Sequence, residues 1–332
     1  MTAPGLTEKT LVVALSGGIG GAKLALGLSR AMPPADLVVV ANTGDDFEHL
    51  GLSISPDLDT LMYTLAGLDD AERGWGRRGE TWTFMAALAA LGGETWFQLG
   101  DGDLATHVER TRRLQSGESL TAVTADFCRR LGITSRILPM TDEAAPTLLV
   151  TDEGTLDFQD YFVRLRCEPE VLAVEYEDAE EADANPDVLA ALEDPRLRAV
   201  IICPSNPFLS VMPILAVGGM REAIAACAAP VVAVSPIIGG RAVKGPTAKL
   251  MNELGRPATA SAVAQIYGDL LDGYILDQVD AAEAEAITAA HGIAVAPTQT
   301  LMQTLADREA LARHVLALAD DLAIKKGDPS LA

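Results

Sequence analysis

The chain has 332 residues, of which 47 are acidic and 25 are basic, so its formal charge is −22. This negative charge disfavours binding to the phosphate backbone of nucleic acid, and no apolar run approaches the roughly 20 residues of a membrane helix. The four cysteines lack metal-ligand spacing and the start lacks a signal-peptide pattern, so we expect a cytoplasmic protein without a zinc site and without a nucleic-acid or membrane partner.

The first predicted elements are a buried strand and a helix joined by a glycine-rich turn. An apolar run at residues 11–15 precedes the turn, and apolar residues recur at helical spacing from Ala22. Glycines let the backbone approach a ligand, and a helix start offers N–H groups to an anion. The turn therefore predicts a phosphate site with Lys23 nearby, although it could be only a tight connection. Its small residues are Ser16, Gly17, Gly18, Gly20 and Gly21.

A second buried strand at residues 36–41 is followed by two adjacent carboxylates, Asp45 and Asp46. One helix length separates the two strands, which is typical of a right-handed βαβ unit with parallel strands. Ligands of such sheets bind at the carboxyl ends of the strands. We therefore expect Asp45 and Asp46 to lie in the same crevice as the glycine turn.

Two more carboxylates, Asp57 and Asp59, lie in a Ser-Pro-Asp-Leu-Asp-Thr motif that begins at Ser55 and runs into a helical pattern. Mg²⁺ takes carboxylates, water and substrate phosphates as ligands. The four aspartates, Asp45, Asp46, Asp57 and Asp59, therefore predict a magnesium site beside the phosphate. Helix capping by Ser55 or Asp57 explains part of the same motif.

Residues 73–114 combine aromatic and basic side chains. Trp75 and its neighbouring arginines suit stacking on a planar ring, although the tryptophans could instead cover helix ends. A short strand is predicted from Trp96, and Asp103 is placed to cap the helix that follows. His107 and Arg110 would lie one turn apart on one face of that helix.

The rest of the chain alternates predicted strands and helices. The segment 145–174 predicts a β-hairpin around an Asp-Glu-Gly turn. Further core strands are predicted at 199–203, 230–234, 274–277 and 293–296. A terminal helix is predicted at 305–324.

Loops after two of these strands carry groups suited to anions. The first offers Ser205 and Asn206 between two prolines, and the second contains Arg241, Lys244 and Lys249. Lys249 could equally be a solvated helix residue. With the glycine turn and the aspartates, these loops predict an enzyme that handles a phosphorylated nucleotide and a second, planar substrate with a divalent metal.

Seven motifs occur in an order that resembles the 2-phospho-L-lactate transferase family of coenzyme F-420 biosynthesis. They are Ser16-Gly-Gly-Ile-Gly-Gly-Ala-Lys23, Asn42-Thr-Gly-Asp-Asp46, Ser55-Pro-Asp-Leu-Asp-Thr60, Gly74-Trp-Gly76, Leu99-Gly-Asp-Gly-Asp-Leu-Ala-Thr-His107, Pro204-Ser-Asn-Pro207 and Ser235-Pro-Ile-Ile-Gly239. The resemblance implies an α/β fold with a Rossmann-like, mostly parallel sheet flanked by helices. We expect one domain over residues 1–332, with a helical insertion at 66–135 on the acceptor side and the hairpin insertion at 145–174.

The resemblance also implies a Mg²⁺-dependent transfer. A phosphorylated small acid, which is 2-phospholactate, phosphoenolpyruvate or 3-phosphoglycerate, would pass from its guanosine diphosphate ester to the terminal hydroxyl of 8-hydroxy-5-deazariboflavin, with release of GMP. Asp59 and Gln98 match positions that contact the deazaflavin, although archaeal members carry a lysine where this chain has Gln98. Trp75, Asp101 and His107 are expected in the same acceptor site.

The family pattern assigns further residues to the donor and to catalysis. Catalysis is expected from Asp45, Asp46 and Asp59, with Asp59 assisting removal of the hydroxyl proton, and the family implies a homodimer. Two alternatives are an NAD(P)-dependent oxidoreductase, which shares the first βα turn, and a noncatalytic nucleotide sensor. The expected nucleotide-binding residues are Ser16, Gly17, Gly18, Gly20, Lys23, Ser205, Asn206, Ser235, Gly239 and Lys244.

Overall fold

The computed structural model describes residues 8–325, which form a large parallel sheet, three small antiparallel sheets and surrounding helices. In chain order the described strands are β1 (Leu11–Ser16), β2 (Leu37–Ala41), β3 (Phe47–His49), β4 (Leu52–Ile54), β5 (Arg136–Pro139), β6 (Thr147–Thr151), β7 (Gly154–Asp157), β8 (Val171–Tyr176), β9 (Leu197–Ile202), β10 (Val231–Val234), β11 (Ile237–Ile238), β12 (Arg241–Ala242), β13 (Gly273–Asp277) and β14 (Ala294–Thr298).

The described helices lie mostly between these strands. They are α1 (Gly18–Ala31), α2 (Pro56–Leu65), α3 (Thr83–Ala90), α4 (Asp101–Gln115), α5 (Leu120–Arg130), α6 (Pro186–Glu193), α7 (Met212–Ala216), α8 (Met220–Ala226), α9 (Thr247–Glu253), α10 (Ala260–Tyr267), α11 (Ala284–His291) and α12 (Leu305–Lys325). Short 3₁₀ segments lie at Pro34–Asp36, Gly268–Leu270 and Gln278–Glu283, and π-helical turns lie at Asp160–Arg164 and Pro207–Val211.

The large sheet has the order β14-β13-β10-β9-β1-β2-β5, and its neighbouring strands are parallel. From β1 the chain adds β2 and β5 on one side, and later adds β9, β10, β13 and β14 on the other. The direction of winding therefore reverses between β1 and β9, where a crevice opens at the carboxyl ends of the strands. The predicted Rossmann-like α/β fold is confirmed.

Helices cover both faces of this sheet because successive residues of a strand point to opposite sides. In β1, Val12 and Ala14 belong to the core that contains α1, α2 and α12, whereas Val13 and Leu15 belong to the core that contains α6, α8, α10 and α11. A strand buried on both faces needs an unbroken apolar run. The sequence of residues 11–15 meets that requirement.

A short hairpin that the sequence analysis missed brings the two acidic motifs together. β3 and β4 pair antiparallel and turn at Leu50 and Gly51, whose φ angles are 54° and 73°. The chain returns at Ser55, whose hydroxyl donates to Asp46 Oδ2 at 2.6 Å. The aspartates after β2 therefore lie beside those at the start of α2.

The segment 145–174 differs from the predicted hairpin. β6 pairs with both β7 and β8, which gives a three-stranded antiparallel sheet. β7 ends at Asp157 because a π-helical turn follows. Phe158 and Phe162 stack with centroids 5.4 Å apart, and a spacing of four residues brings side chains together on a helical turn rather than on a strand.

The strand predicted from Trp96 is wrong. Residues 96–99 are irregular, and Leu99 packs with Ile54 and Met85 in a small separate core. Burial in that core, rather than pairing with a strand, accounts for the apolar character of the segment. Helices α3, α4 and α5 occupy the region expected to be a helical insertion.

The terminal helix α12 lies against α1, and the two helices approach closely at Gly27. A Cβ atom at this position would overlap the main chain of Arg308. The missing side chain therefore fixes how closely the start of α12 approaches the glycine-turn helix.

Replacing Gly27 by alanine should destabilise the protein. Alanine favours a helix by about 1 kcal/mol over glycine, but the added methyl group meets backbone atoms that move only if α12 shifts. We expect a net loss of about 1–2 kcal/mol in the free energy of unfolding, measured by urea denaturation. Arg30→Ala, an exposed change on the same helix, should stay within about 0.5 kcal/mol of the unmodified chain, and equal stability of the two variants would contradict the close packing.

Candidate active site

A cavity of about 710 Å³ opens at the crevice predicted by the sheet order. Its walls come from the turn after β1, the loop after β2, the start of α2, the loops after β9 and β10, and the segments 96–98 and 158–163. This volume is within the range of small-molecule sites. The predicted site residues that line the cavity are Gly17, Gly18, Gly20, Lys23, Asp45, Asp57, Asp59, Trp75, Gln98, His107, Ser205, Asn206, Ser235 and Lys244.

Four predicted site residues are not part of the cavity wall: Ser16, Asp46, Asp101 and Gly239. The Ser16 side chain is buried beneath Gly21, and Asp46 accepts the hydrogen bond from Ser55. The Asp101 carboxylate accepts from the backbone N–H of Phe84 at 3.0 Å and so caps α3. The Gly239 N–H donates to Asp280 at 2.9 Å. Each of the four supports a neighbouring segment instead.

The glycine turn owes part of its sequence to contact between two loops. The Ser205 hydroxyl donates to the Gly17 carbonyl at 2.8 Å, and a Cβ at Gly20 would overlap the Pro204 carbonyl. Gly18 has a φ of 62°, which favours glycine, and its N–H donates to Asp57 at 2.5 Å. The turn therefore binds a carboxylate of the protein itself as well as facing the cavity.

Asp45 and Asp57 form a buried carboxylate pair held by one amide. The Asn42 side chain donates to an oxygen of each, both at 3.0 Å. Burial raises the pKa of Asp45 well above its usual value, and the charge of Asp57 adds to this. Burial also raises the pKa of Asp57 to about 6, although the hydrogen bonds from Asn42 and Gly18 oppose the rise. Two buried carboxylates without a contacting cation among residues 8–325 fit the requirements of a divalent metal ion.

Asp59 has a different environment from that of Asp57, two residues earlier. Its oxygens accept from Arg110 Nη1 at 3.0 Å and from Arg110 Nη2, and His107 Nδ1 lies 3.6 Å from Oδ2. Burial opposes the charge of Arg110, but Asp59 raises its pKa. This bidentate pair fixes the Asp59 carboxylate and neutralises it within the protein.

The network continues from His107 to Asp103. His107 Nε2 lies 3.2 Å from Asp103, and the Tyr63 hydroxyl donates to the same carboxylate at 2.7 Å. Burial disfavours ionisation of Asp103, but its hydrogen bond with His107 lowers the pKa overall. Asp59, Asp103 and His107 are close enough to hold a metal ion, yet Arg110 already supplies a cation there. The pair Asp45 and Asp57 is therefore the better fit for a metal.

An aromatic wall that the sequence analysis did not foresee lies on one side of the cavity. Trp96 and Phe97 contribute from the irregular segment, and Phe158 and Phe162 contribute from the π-helical region. The rings of Trp96 and Phe97 meet edge to face with centroids 5.8 Å apart. The spacing of four residues between Phe158 and Phe162 is the sequence pattern that could have indicated this helical turn.

The loop after β9 presents a free amide donor to the cavity. Asn206 Oδ1 accepts from the N–H groups of Phe208 at 3.0 Å and Leu209 at 3.2 Å, which fixes the side chain. Its Nδ2 is buried and has no hydrogen-bond partner within the part of the chain that the structure describes. A buried unpaired donor facing a cavity is suited to a ligand oxygen.

Comparison with known proteins identifies the family. The 2-phospho-L-lactate transferase CofD family model matches residues 12–319. The chain belongs to the CofD family. It is 44% identical to a phosphoenolpyruvate transferase of Streptomyces griseus subsp. griseus, over 94% of this chain and 99% of that protein. It is 38% identical to a 2-phospho-L-lactate transferase of Methanospirillum hungatei JF-1, over 92% and 99% respectively.

A solved structure that is similar to this chain supports the fold. A UPF0052 family protein from Bacillus halodurans matches with a TM-score of 0.63 at 14% identity, over 93% of this chain and 99% of that one.

CofD family membership supports an enzyme, a transferase of coenzyme F-420 biosynthesis, and the oxidoreductase and sensor alternatives receive no support. Within residues 8–325, no helix has the combined length and apolar character required to cross a membrane.

Replacing Asp45 by asparagine should stabilise the metal-free protein at neutral pH. Because burial raises the folded-state pKa above the unfolded value of about 3.9, ionised Asp45 costs folding free energy, and the cost grows as the pH rises from 4 to 7. We expect a gain of about 1–3 kcal/mol at pH 7.5 that shrinks toward pH 4, measured by urea denaturation in EDTA.

Two controls make this result specific. Asp321→Asn, an exposed change on α12, should leave stability within about 0.5 kcal/mol at both pH values. Added Mg²⁺ should raise the melting temperature of the unmodified protein but not that of Asp45→Asn. A destabilised Asp45→Asn protein at pH 7.5 would show that the carboxylate pair is not a buried electrostatic cost.

Proposed function

We propose that this chain transfers a phosphoenolpyruvate group from its guanosine diphosphate ester to the terminal hydroxyl of 8-hydroxy-5-deazariboflavin, with release of GMP. The observation that carries the proposal is the pair Asp45 and Asp57 beside the glycine turn, in a cavity with an aromatic wall. The choice of acid is supported by relatives at 43–45% identity, which are named phosphoenolpyruvate transferases.

Asp45 and Asp57 would hold the metal ion, for which we propose Mg²⁺. When bound, the ion would neutralise charge on the diphosphate. Asn42 sets the separation of the two carboxylates, because it donates to both, and Gly18 fixes Asp57 against the turn. The Asn206 side-chain amide would donate an uncharged hydrogen bond to an oxygen of the guanosine diphosphate ester.

Asp59 would orient the attacking hydroxyl. An ionised carboxylate has about four lone-pair directions, and Arg110 uses one on each oxygen, so Asp59 can also accept a hydrogen bond from the acceptor alcohol. The hydroxyl oxygen forms the new bond to the phosphorus that carries the acid, the bond from that phosphorus to GMP breaks, and Asp59 assists departure of the hydroxyl proton.

The deazaflavin ring would lie against the aromatic wall. Trp96, Phe97, Phe158 and Phe162 give flat apolar surface next to Gln98, the residue that matches a deazaflavin-contacting position. Trp75 also lines the cavity, near Gly74 and Lys244. A homodimer and a cytoplasmic location are further proposals that follow the family and the composition.

Product analysis tests the function directly. Purified protein would be incubated with 8-hydroxy-5-deazariboflavin, Mg²⁺ and the guanosine diphosphate ester of phosphoenolpyruvate, 2-phospholactate or 3-phosphoglycerate, and the products identified by mass spectrometry. We expect GMP and the phosphoenolpyruvyl product to form fastest. Preferred use of another acid would reject the donor assignment, and no product from any donor would reject the transferase assignment.

Replacing Phe162 by alanine should weaken acceptor binding. Loss of one stacking ring costs about 1–3 kcal/mol, so we expect the KM for 8-hydroxy-5-deazariboflavin to rise about tenfold with little change in the KM for the donor. Phe162→Leu should recover part of the loss because it restores apolar area without the ring. Leu172→Ala, an exposed change on β8, is the matched control, and an acceptor KM equal to that control would exclude Phe162 from the acceptor site.

A further inference from the structure

Three cationic side chains, Lys23, Lys244 and Arg308, line a side cavity of about 100 Å³. Lys23 and Lys244 also line the main cavity, so the two spaces share a wall. Arg308 comes from the first turn of α12 and was not singled out by the sequence analysis. Such a concentration of positive charge is notable in a chain with a formal charge of −22.

The hydrogen-bonding capacity of these cations is largely unused. Lys23 Nζ donates to the Met302 carbonyl at 3.1 Å, and Lys244 Nζ donates to the Gly74 carbonyl at 3.4 Å. Arg308 Nε is buried and has no hydrogen-bond partner within residues 8–325. Burial lowers the pKa of Lys23, and the charges of Arg308 and Lys244 lower it further.

Nearby acids do not cancel this charge. Asp307, next to Arg308, accepts from the N–H groups of Gln303 and Thr304 at the start of α12. Asp70 in the side cavity accepts from two backbone N–H groups of its own loop. Asp69 also lines the side cavity and partly opposes the effect on Lys23, but no acid is within ion-pairing distance of the three cations among the described residues.

The packing of α12 on α1 holds Arg308 next to Lys23. Gly27 and Lys23 are one turn apart on the same helix, and the backbone of Arg308 lies directly against Gly27. This close backbone contact places the Arg308 side chain near enough to Lys23 for its charge to lower the pKa of Lys23. The N-terminus of the 21-residue α12 adds a positive partial charge at the same place.

We propose that Arg308, together with Lys23 and Lys244, forms a subsite that binds an oxyanion of the nucleotide donor. This proposal rests on the donor class of the proposed function and extends the donor site to the terminal helix. Either the second phosphate of the diphosphate or the carboxylate of the transferred acid would satisfy three converging cations, since both oxyanions accept charged hydrogen bonds.

Binding measurements on the full chain distinguish the second phosphate from the carboxylate as the bound oxyanion. Isothermal titration calorimetry would use three probes, which are GDP, GMP, and phosphoenolpyruvate in the presence of saturating GMP. The variants are Arg308→Gln, Arg308→Lys and Lys244→Gln, and Lys244 is exposed, so its variant guards against misfolding. Arg313→Gln is the matched control, because Arg313 is on the same helix and pairs in solvent with Glu309 at 3.4 Å.

We expect a rise of about tenfold in one dissociation constant for Arg308→Gln and Lys244→Gln, as befits loss of one charged hydrogen bond, with partial recovery in Arg308→Lys. Weaker GDP binding with unchanged GMP binding would identify the second phosphate. Weaker binding of phosphoenolpyruvate alone would identify the carboxylate. If both variants match Arg313→Gln within twofold for every probe, the subsite is overturned.

The binding result is independent of the transfer assay. A protein that binds GDP through Arg308 but forms no deazaflavin product would retain the subsite and lose the proposed function. A protein that forms the product while Arg308→Gln and Lys244→Gln keep the affinities of the control would retain the function and lose the subsite.

Discussion

The site depends on two carboxylates, Asp45 and Asp57, being held in a buried position by a single amide, Asn42. Burial raises both pKa values, and the charge of Asp57 raises that of Asp45 further, so the arrangement costs folding free energy when no cation is present. The parallel sheet supplies that stability through apolar strands buried on both faces. The carboxylates of Asp45 and Asp57, which are unfavourable without a cation, are suited to bind one beside a diphosphate.

Aspartates that are neighbours in the sequence have separate tasks because their surroundings differ. Asp57 points to Gly18 and Asn42, whereas Asp59 is paired with Arg110 from α4. One carboxylate lacks a cation and the other already has one. A metal ion is therefore favoured at Asp57, and a hydrogen-bond acceptor held in place by Arg110 results at Asp59. This division matches a reaction in which donor and acceptor meet at one phosphorus atom.

The cavity is also divided by the character of its walls. Aromatic rings from residues 96–97 and 158–162 line the main cavity, and Lys23, Lys244 and Arg308 line the adjoining side cavity. In the proposed function, the cations would attract an anionic nucleotide and the aromatic rings would contact a planar ring. In the proposed function, the segments between α3 and α4 and between β7 and β8 would carry the acceptor surface, and the sheet and α12 would carry the donor surface.

The sequence by itself determined the strand–glycine turn–helix unit, the parallel sheet and the order of the family motifs, because these depend on local periodicity and on glycine and aspartate spacing. It could not decide which aspartate meets Arg110, that residues 158–162 form a helical turn, or that Arg308 reaches Lys23. Those contacts join residues 51 positions apart for Asp59 and Arg110 and come from helices α1 and α12 at opposite ends of the chain. Only tertiary packing decides them, since local sequence carries no information about which distant side chain fills a buried space.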